Sequence, residues 1–434
     1  MRLKQSFSVP LTGSLKRKLL TWAQQFNEVV WLDSNHYHQS HGQYQALLAV
    51  EAFTSLKTDS FQAFEQLETY QKTTNDWLFG YLSYDLKNDV ESLSSHNFDG
   101  LHFPELYFFQ PKKVFLFTED QVEIQYLNLV SDELETDWQI IQNTPEYPAE
   151  DSAHSPVKIR LRTSKDAYFD KVREMLRHIE RGDIYEANFC QEFFSEGVAI
   201  DPLKTFFHLN EISKPPFASF LKLEHWYAFS ASPERYLKRT GHTVISQPIK
   251  GTAKRLQDPM EDLAMKKDLA QNPKERSENI MITDLVRNDL SRFAEKGSVT
   301  VEELCEVYSF EQVHQLISTI SCQVAPSISS VELLKKTFPM GSMTGAPKIS
   351  AMHIIETLED TKRGLYSGAI GYFSPKGDFD FNVVIRSILY NQKNQYVSFS
   401  VGGAITANSK PENEYEECLL KAKAMREALE KRYA

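Results

Sequence analysis

The chain has 434 residues and a formal charge of −11, with 59 acidic against 48 basic side chains. Its 41% hydrophobic and 25% charged residues are ordinary for a folded chain long enough for two or three domains. The charge argues against a nucleic-acid or anionic-membrane partner, because neither has a basic face to meet.

Cys190, Cys305, Cys322 and Cys418 lie far apart and form no C-x-x-C pair. They read as reduced thiols, not as a disulfide framework or a zinc site. Residues 1–11 lack the apolar core of a leader, and no run reaches the length of a membrane span, so the cytoplasm is the expected compartment.

In chain order, residues 15–26 have helical spacing, 28–32 and 77–82 the pattern of strands, and 61–70 that of a helix. His36, His38 and His41 read as loop residues, not as metal ligands. Residues 144–156 (TPEYPAEDSAHSP) are polar, hold three prolines and read as a linker between an N-terminal region, 1–143, and a second region, 157–434. Beyond it, residues 164–181 form an amphipathic helix closed by Gly182, and 183–194 alternate as a strand. Further strands are expected near 226–230, 243–246, 368–373, 381–390 and 396–401, with helices near 274–294, 330–338, 347–358 and 412–432. Strands in series with intervening helices indicate an α+β layered fold, not strict βαβ alternation.

One short stretch organises the chemistry: Gln247-Pro248-Ile249-Lys250-Gly251-Thr252, which follows a strand and leads into a basic turn at 253–255. Pro248 fixes the backbone and Gly251 permits a left-handed turn, so Lys250 is held from both sides. A free lysine, with a pKa of about 10.4, is protonated at neutral pH. Burial or a nearby cation lowers that value and frees a nucleophilic amine. A solvated lysine at a strand end is the common case, and Lys250 stands out through the residues that accompany it.

Asn272-Pro273-Lys274-Glu275 opens a helix with a capping box, which gives Glu275 a structural role beside any functional one. Glu278 falls inside the apolar stripe of Met281, Ile282, Leu285, Val286 and Phe293, where a carboxylate is costly unless a cation or donor meets it. Asp289 shares that face, with Arg287 or Arg292 available as a structural partner. In the last helix Glu414, Glu417 and Lys421 share a face beside Tyr415, Cys418, Ala422, Met425 and Leu429. Alone that row reads as a solvated face. Two helices each offering Glu-x-x-Glu can also converge on Mg²⁺, which takes few direct carboxylates and keeps waters.

Residues 338–348 (FPMGSMTGAPK) form a Gly-rich turn into a helix but not a P-loop, since no Gly-Lys-Ser/Thr follows. Either it is a plain tight turn, or its backbone N–H groups and the Thr344 hydroxyl bind an anion. Arg386, on a strand face shared with Val384 and Ile388, calls for a carboxylate. Gly402-Gly403 permits a ligand to approach the backbone. Together these groups imply a small polyanionic substrate with one carbon open to an amine.

The set resembles the chorismate-utilising enzymes. Ser232-Pro233-Glu234-Arg235, PIKGT (248–252), ERSENIMITDLVRNDL (275–290), FPMGSMTGAPK (338–348), Arg386, GGAI (402–405) and EYEECLLK (414–421) stand in that family's order. They cover roughly residues 165–434, and residues 1–143 resemble the family's first domain only loosely. The resemblance implies an α+β sandwich of two large, mainly antiparallel sheets with the site between them. It implies that Lys250 marks the branch making 4-amino-4-deoxychorismate for para-aminobenzoate and folate, since anthranilate-forming members carry a small residue there. On that reading Lys250 attacks C2 of chorismate as the C4 hydroxyl departs, and ammonia then enters at C4. Glu234 matches the general acid, Glu278 and Glu417 the direct Mg²⁺ ligands, and Glu275 and Glu414 the water-mediated ones. Arg386, Tyr372, Thr344, Gly403 and Lys421 match positions that hold substrate carboxylates.

Two departures bear on the reaction. Gln315 replaces a histidine that the resemblance links to pyruvate elimination, which favours a product retaining its enolpyruvyl group. Glu186 stands where relatives show glutamine or a lysine base. Trp31-Leu32-Asp33-Ser34 is the nearest approach to the family's tryptophan-site signature. No G-x-C-x-G nucleophile element is visible, so a separate glutamine amidotransferase is the expected ammonia source. The competing readings are an anthranilate synthase component I and a non-catalytic chorismate- or metal-binding regulator.

Overall fold

The computed structural model describes residues 1–37, 41–147 and 157–430. His38 and residues 148–156 of the expected linker lie outside the described residues.

Two long strands, Ala46–Thr58 and Leu106–Phe117, pair with each other and are shared by two antiparallel sheets. Their pairing slips between Ala52 and Thr54, beside Glu51 in a left-handed conformation and opposite Pro111, which has no N–H to give. On one side of that slip the first sheet runs through Glu28–Asp33, Phe217–Leu223, Trp226–Ser232, Ser387–Asn391 and Tyr396–Ile405 to Glu186–Glu196. On the other side the second sheet runs through Leu78–Leu82, Ala369–Phe373, Phe379–Val383, Arg235–Thr240 and Thr243–Gln247 to Val313–Gln323. Ile249–Lys254 and Thr300–Ser309 complete the second sheet on Val313–Gln323. The fold is therefore α+β with two large antiparallel sheets, as expected.

One apolar layer joins the first sheet to helices Gly13–Ala23, Leu134–Asn143, Lys165–Arg181, Pro202–Ser213 and Pro411–Glu430. A second layer joins the other face of that sheet to the second sheet and to helices Ala63–Thr74, Pro273–Ser291 and Ser330–Thr337. Glu186–Glu196 is buried over its first ten residues because both faces are covered.

Local signals explain most element ends. Ser164 caps Lys165–Arg181 by accepting from the Ala167 N–H, and Gly182 closes it at φ +83°. Two expectations need correction. The single strand expected over 381–390 is two, because Arg386 takes φ +54° between Phe379–Val383 and Ser387–Asn391. The basic turn at 253–255 is largely strand, since Ala253 and Lys254 pair with His314 and Val313. Helix Pro259–Gln271 is not read from the sequence; of its side chains only Asp262 and Leu269 are buried, so it carries no apolar stripe. Among the described residues no helix is long and apolar enough to cross a membrane.

Candidate active site

Pro248 interrupts what would be one strand, and its carbonyl accepts from the Ser318 N–H at 3.2 Å. Lys250 follows, with its own carbonyl held by the Asn279 amide at 3.3 Å; the same amide reaches the Leu316 carbonyl at 3.0 Å. Gly251 at φ +92° makes the turn, and a Cβ there would lie 3.0 Å from Glu275 Oε2 and 2.9 Å from Leu316. Backbone conformation and space both require glycine at 251.

The Lys250 ammonium is 3.4 Å from Glu186 Oε1. Burial alone would depress its pKa, but Glu186, Glu278 and Glu234 outweigh burial and raise it above the ordinary lysine value. The expected depression is therefore corrected: in the free protein Lys250 is an ammonium ion among carboxylates. Glu234 is 4% exposed. Burial pushes its pKa up to about 7, against the opposing pull of Ser342 and Lys250. Glu234 therefore carries a proton near neutrality, as a general acid must. A cavity adjoins Glu234, Ser342, Pro248 and Asp289.

Helix Pro273–Ser291 brings Glu275 and Glu278 beside this lysine. Asn272 caps it by accepting from the Lys274 and Glu275 N–H groups, as the sequence signals. Burial raises the Glu278 pKa, with Lys250 and Lys274 opposing. On helix Pro411–Glu430, Glu414 is buried and its pKa is raised, mainly by burial and also by Glu417. Glu417 is held below its usual range despite its surroundings, chiefly by Lys421 at 2.6 Å. Lys274, 3.8 Å from Glu278, acts on Glu414 and Glu417 as well, so both Glu-x-x-Glu rows face one space.

Among the described residues no three acidic, histidine or cysteine side chains close into a protein cage for a metal. A hard cation that keeps its waters needs fewer direct ligands, and these donors are all carboxylate oxygens. Gly403 leaves space in front of them: a Cβ there would lie 3.3 Å from Glu414 Oε2 and 3.5 Å from Glu417 Oε1. The residues present therefore fit such an ion. Gly402 serves packing, since a Cβ there would meet Cys190 Sγ at 2.4 Å.

Arg386 sits between two strands, not within one, and its carbonyl accepts from the Ala231 N–H. Burial lowers its pKa, partly offset by Tyr366 and Glu417. Among the described residues no carboxylate comes within ion-pair distance of its guanidinium, which leaves the fork for a ligand. Lys421 donates to the Gly402 carbonyl at 2.7 Å and ties the last helix to this strand. Thr344 is 1% exposed and its hydroxyl reaches the Met340 and Gly341 carbonyls at 3.3 and 3.2 Å. The turn around Thr344 is buried, and its hydroxyl is engaged with backbone carbonyls of the same turn.

The structure does not bring Tyr372 to this group. Its ring stacks on Phe79 at 5.7 Å and packs near Trp77 and Tyr44. It lines a second cavity with Asp33, Ser34, Arg235, Asp380 and Asn382. The tyrosine near Arg386 is Tyr366, whose hydroxyl lies 3.6 Å from Cys190 Sγ. Sequence reading missed it; the adjacent Ser367, at φ +63°, marks the backbone as unusual only once the fold is known. Asp289 takes neither Arg287 nor a close Arg292 as its main partner, but Lys348 at 2.6 Å, in a buried pair. Lys348→Met strands that carboxylate and is expected to cost about 3 kcal/mol of stability, read as a lower urea midpoint.

A two-sheet α+β fold with a half-buried lysine, a buried acid, facing carboxylates and an open arginine defines an enzyme-like site for a small anion. The chain belongs to the family described as chorismate binding enzyme, which it matches over residues 23–427. It is 40% identical over 268 residues to "Aminodeoxychorismate synthase component 1" of Escherichia coli strain K12, covering 62% of this chain and 58% of that one. It is 33% identical over 366 residues to the "Anthranilate synthase component I-like protein" of Synechocystis, covering 82% and 72%. Among solved structures, anthranilate synthase component I from Streptococcus pneumoniae aligns with a TM-score of 0.78 at 25% identity, covering 90% of this chain and 93% of that one. The chain spans under two thirds of the length of the Escherichia coli relative.

Proposed function

We propose that this chain is the chorismate-aminating component of an aminodeoxychorismate synthase, forming 4-amino-4-deoxychorismate. The observation that carries the reading is Lys250, pinned between Pro248 and Gly251 and set beside the protonated acid Glu234. A half-buried amine next to a carboxylic acid can form a bond to carbon while the acid protonates a departing oxygen.

Lys250 Nζ, as a free amine, bonds to C2 of the ring; the double bonds shift and the C4–O bond breaks. Glu234 gives its proton to the departing hydroxyl, which leaves as water. Ammonia then bonds to C4, the double bonds shift back, and the C2–N bond breaks to release Lys250. The new C4 ammonium returns one proton to Glu234, so the proton count closes. Arg386 and Lys421 hold the substrate carboxylates, with Gly403 giving close backbone approach. Mg²⁺, held by Glu278 and Glu417 directly and by Glu275 and Glu414 through water, would neutralise the ring carboxylate. Thr344 is the further proposed contact to a substrate carboxylate.

A glutamine amidotransferase subunit is the proposed ammonia source, supported by the name component 1 of the Escherichia coli relative. The chemistry falls in residues 157–434, with 1–143 contributing strands and the second cavity; a cytoplasmic location suits both. Formation of anthranilate is disfavoured at Gln315. Its neighbour His314 cannot substitute for the missing histidine, because its ring is held between Asp262 at 3.1 Å and Ser309 at 2.9 Å.

The test is incubation of the purified chain with chorismate, ammonium chloride and Mg²⁺, with products identified by mass spectrometry. A product that keeps the enolpyruvyl group and carries an amine at C4 is expected. Anthranilate with free pyruvate would overturn the assignment, and tight chorismate binding without any product would favour the regulator.

A further inference from the structure

Glu186 is the one carboxylate against Lys250 that is neither the proposed acid nor a proposed metal ligand. It opens the strand Glu186–Glu196 and is 1% exposed. Gly345-Ala346 pairs with Ala187 and Glu186, and the Tyr185 N–H donates to the Ala346 carbonyl at 2.7 Å. A Cβ on Gly345 would lie 2.2 Å from the Glu186 carbonyl oxygen, so the glycine is what lets the two backbones meet. Of the two carboxylate oxygens, Oε1 faces Lys250 Nζ at 3.4 Å, and Oε2 is buried with no hydrogen-bond partner among the described residues. A buried carboxylate with one oxygen on an ammonium ion and one unused is costly unless a further donor meets it, and a proton taken from that ammonium is the donor nearest to hand.

We propose that Glu186 is the proton acceptor that frees the Lys250 amine and returns the proton when the lysine is released. This rests on the function proposed above. Lys250 starts as an ammonium ion and passes one proton to Glu186, leaving a neutral amine and a neutral carboxylic acid. The amine bonds to C2 as the C4–O bond breaks, and water leaves with the Glu234 proton. The adduct is then a secondary ammonium, so its C2–N bond breaks to give a neutral lysine amine when ammonia bonds to C4. Glu186 hands its proton back, and no outside acid or base is consumed. The groups facing Lys250 are Glu186 from its strand, Glu234 from the turn between two strands, Glu278 from one helix and Glu417 from the last. Of these, Glu186 alone is within hydrogen-bond distance.

The experiment has two arms, both on the full chain. In the first, Glu186→Gln and Glu186→Asp are assayed with chorismate, ammonium and Mg²⁺ from pH 6.5 to 9.5. Glu186→Gln is expected to lose about 10²-fold in kcat at pH 7.5. Its chorismate KM should hold within about threefold, and the deficit should shrink as rising pH strips the lysine through solvent. Glu186→Asp should recover part of the rate with the parent's pH profile. Parent-like kcat in Glu186→Gln, or a loss equal at every pH, overturns the proposal. So does isochorismate formed by the parent without ammonium, which would make Glu186 a base for water.

The second arm needs no turnover. Acylation of Lys250 by acetic anhydride is followed against pH by peptide mass spectrometry in parent and Glu186→Gln, both free of substrate. Loss of the adjacent anion should move the labelling midpoint to lower pH. An unmoved midpoint overturns the pairing even if the parent proves to make another product. A shifted midpoint with no amination by the parent retains the Glu186–Lys250 couple and overturns only the assigned reaction.

Discussion

Lys250→Ala is expected to lower kcat/KM for chorismate amination by at least about 10³-fold, equivalent to some 4 kcal/mol of transition-state stabilisation. The lysine splits one displacement at a poor leaving group into two steps, and the groups that act on it most, Glu186, Glu278 and Glu234, are all oxygen acids. Lys250→Arg should not restore the rate, because a guanidinium stays charged and is no nucleophile. Thermal unfolding midpoints measured alongside separate this from a folding defect. The backbone anchors, Ser318 on Pro248 and Asn279 on the Lys250 carbonyl, do not depend on the side chain. A variant within tenfold of the parent would remove Lys250 from the chemistry.

Glu234→Gln should cost about 10²- to 10⁴-fold in kcat/KM, the usual worth of a positioned general acid. The pH profile gives the sharper reading. Burial holds Glu234 up to about 7, so the donor form dominates below that value, and parent kcat/KM should fall about tenfold per unit above it. Glutamine has no such proton, so the alkaline limb near pH 7 should vanish from the variant's residual rate. Stability follows the same shift with a definite sign. A carboxyl raised from 4.5 to about 7 contributes stability that is fully present below 4.5 and is lost as pH rises through 7. That is about 3 kcal/mol between the limits. The unfolding midpoint of Glu234→Gln relative to the parent should therefore improve from pH 5 to pH 8. An unchanged difference would mean that Glu234 ionises as an ordinary carboxyl.

The chain's local grammar determined a good deal of this. Asn272-Pro273 and Ser164 start their helices where the side chains say they should, and Gly182 ends one, because caps act through hydrogen bonds within a few residues. The Pro248–Gly251 frame around Lys250, the apolar stripe holding Glu278 and the buried row beside Glu414 were legible for the same reason. Each is a matter of spacing along one element. What spacing could not deliver was the meeting of elements. Tyr372 and Tyr366 are six residues apart and equally aromatic; only the pairing of Ala369–Phe373 with Leu78–Leu82 and Phe379–Val383 turns one toward a separate cavity. Asp289 found Lys348, 59 residues away, over two nearer arginines, because the turn before Lys348 folds onto the helix.

The sequence by itself determined the residue types and the antiparallel α+β class. It also supplied the glycines at 251 and 403, where a Cβ would crowd neighbouring side chains, and at 345, where it would strike the Glu186 carbonyl. Only the assembled fold brings together the charges that shift these groups. Lys250 looked like an amine to be depressed by burial, yet three carboxylates from a strand, a turn and a helix converge on it and raise its pKa. A pKa depends on charges summed over space, and those charges come from residues 186, 234 and 278, which no local pattern relates.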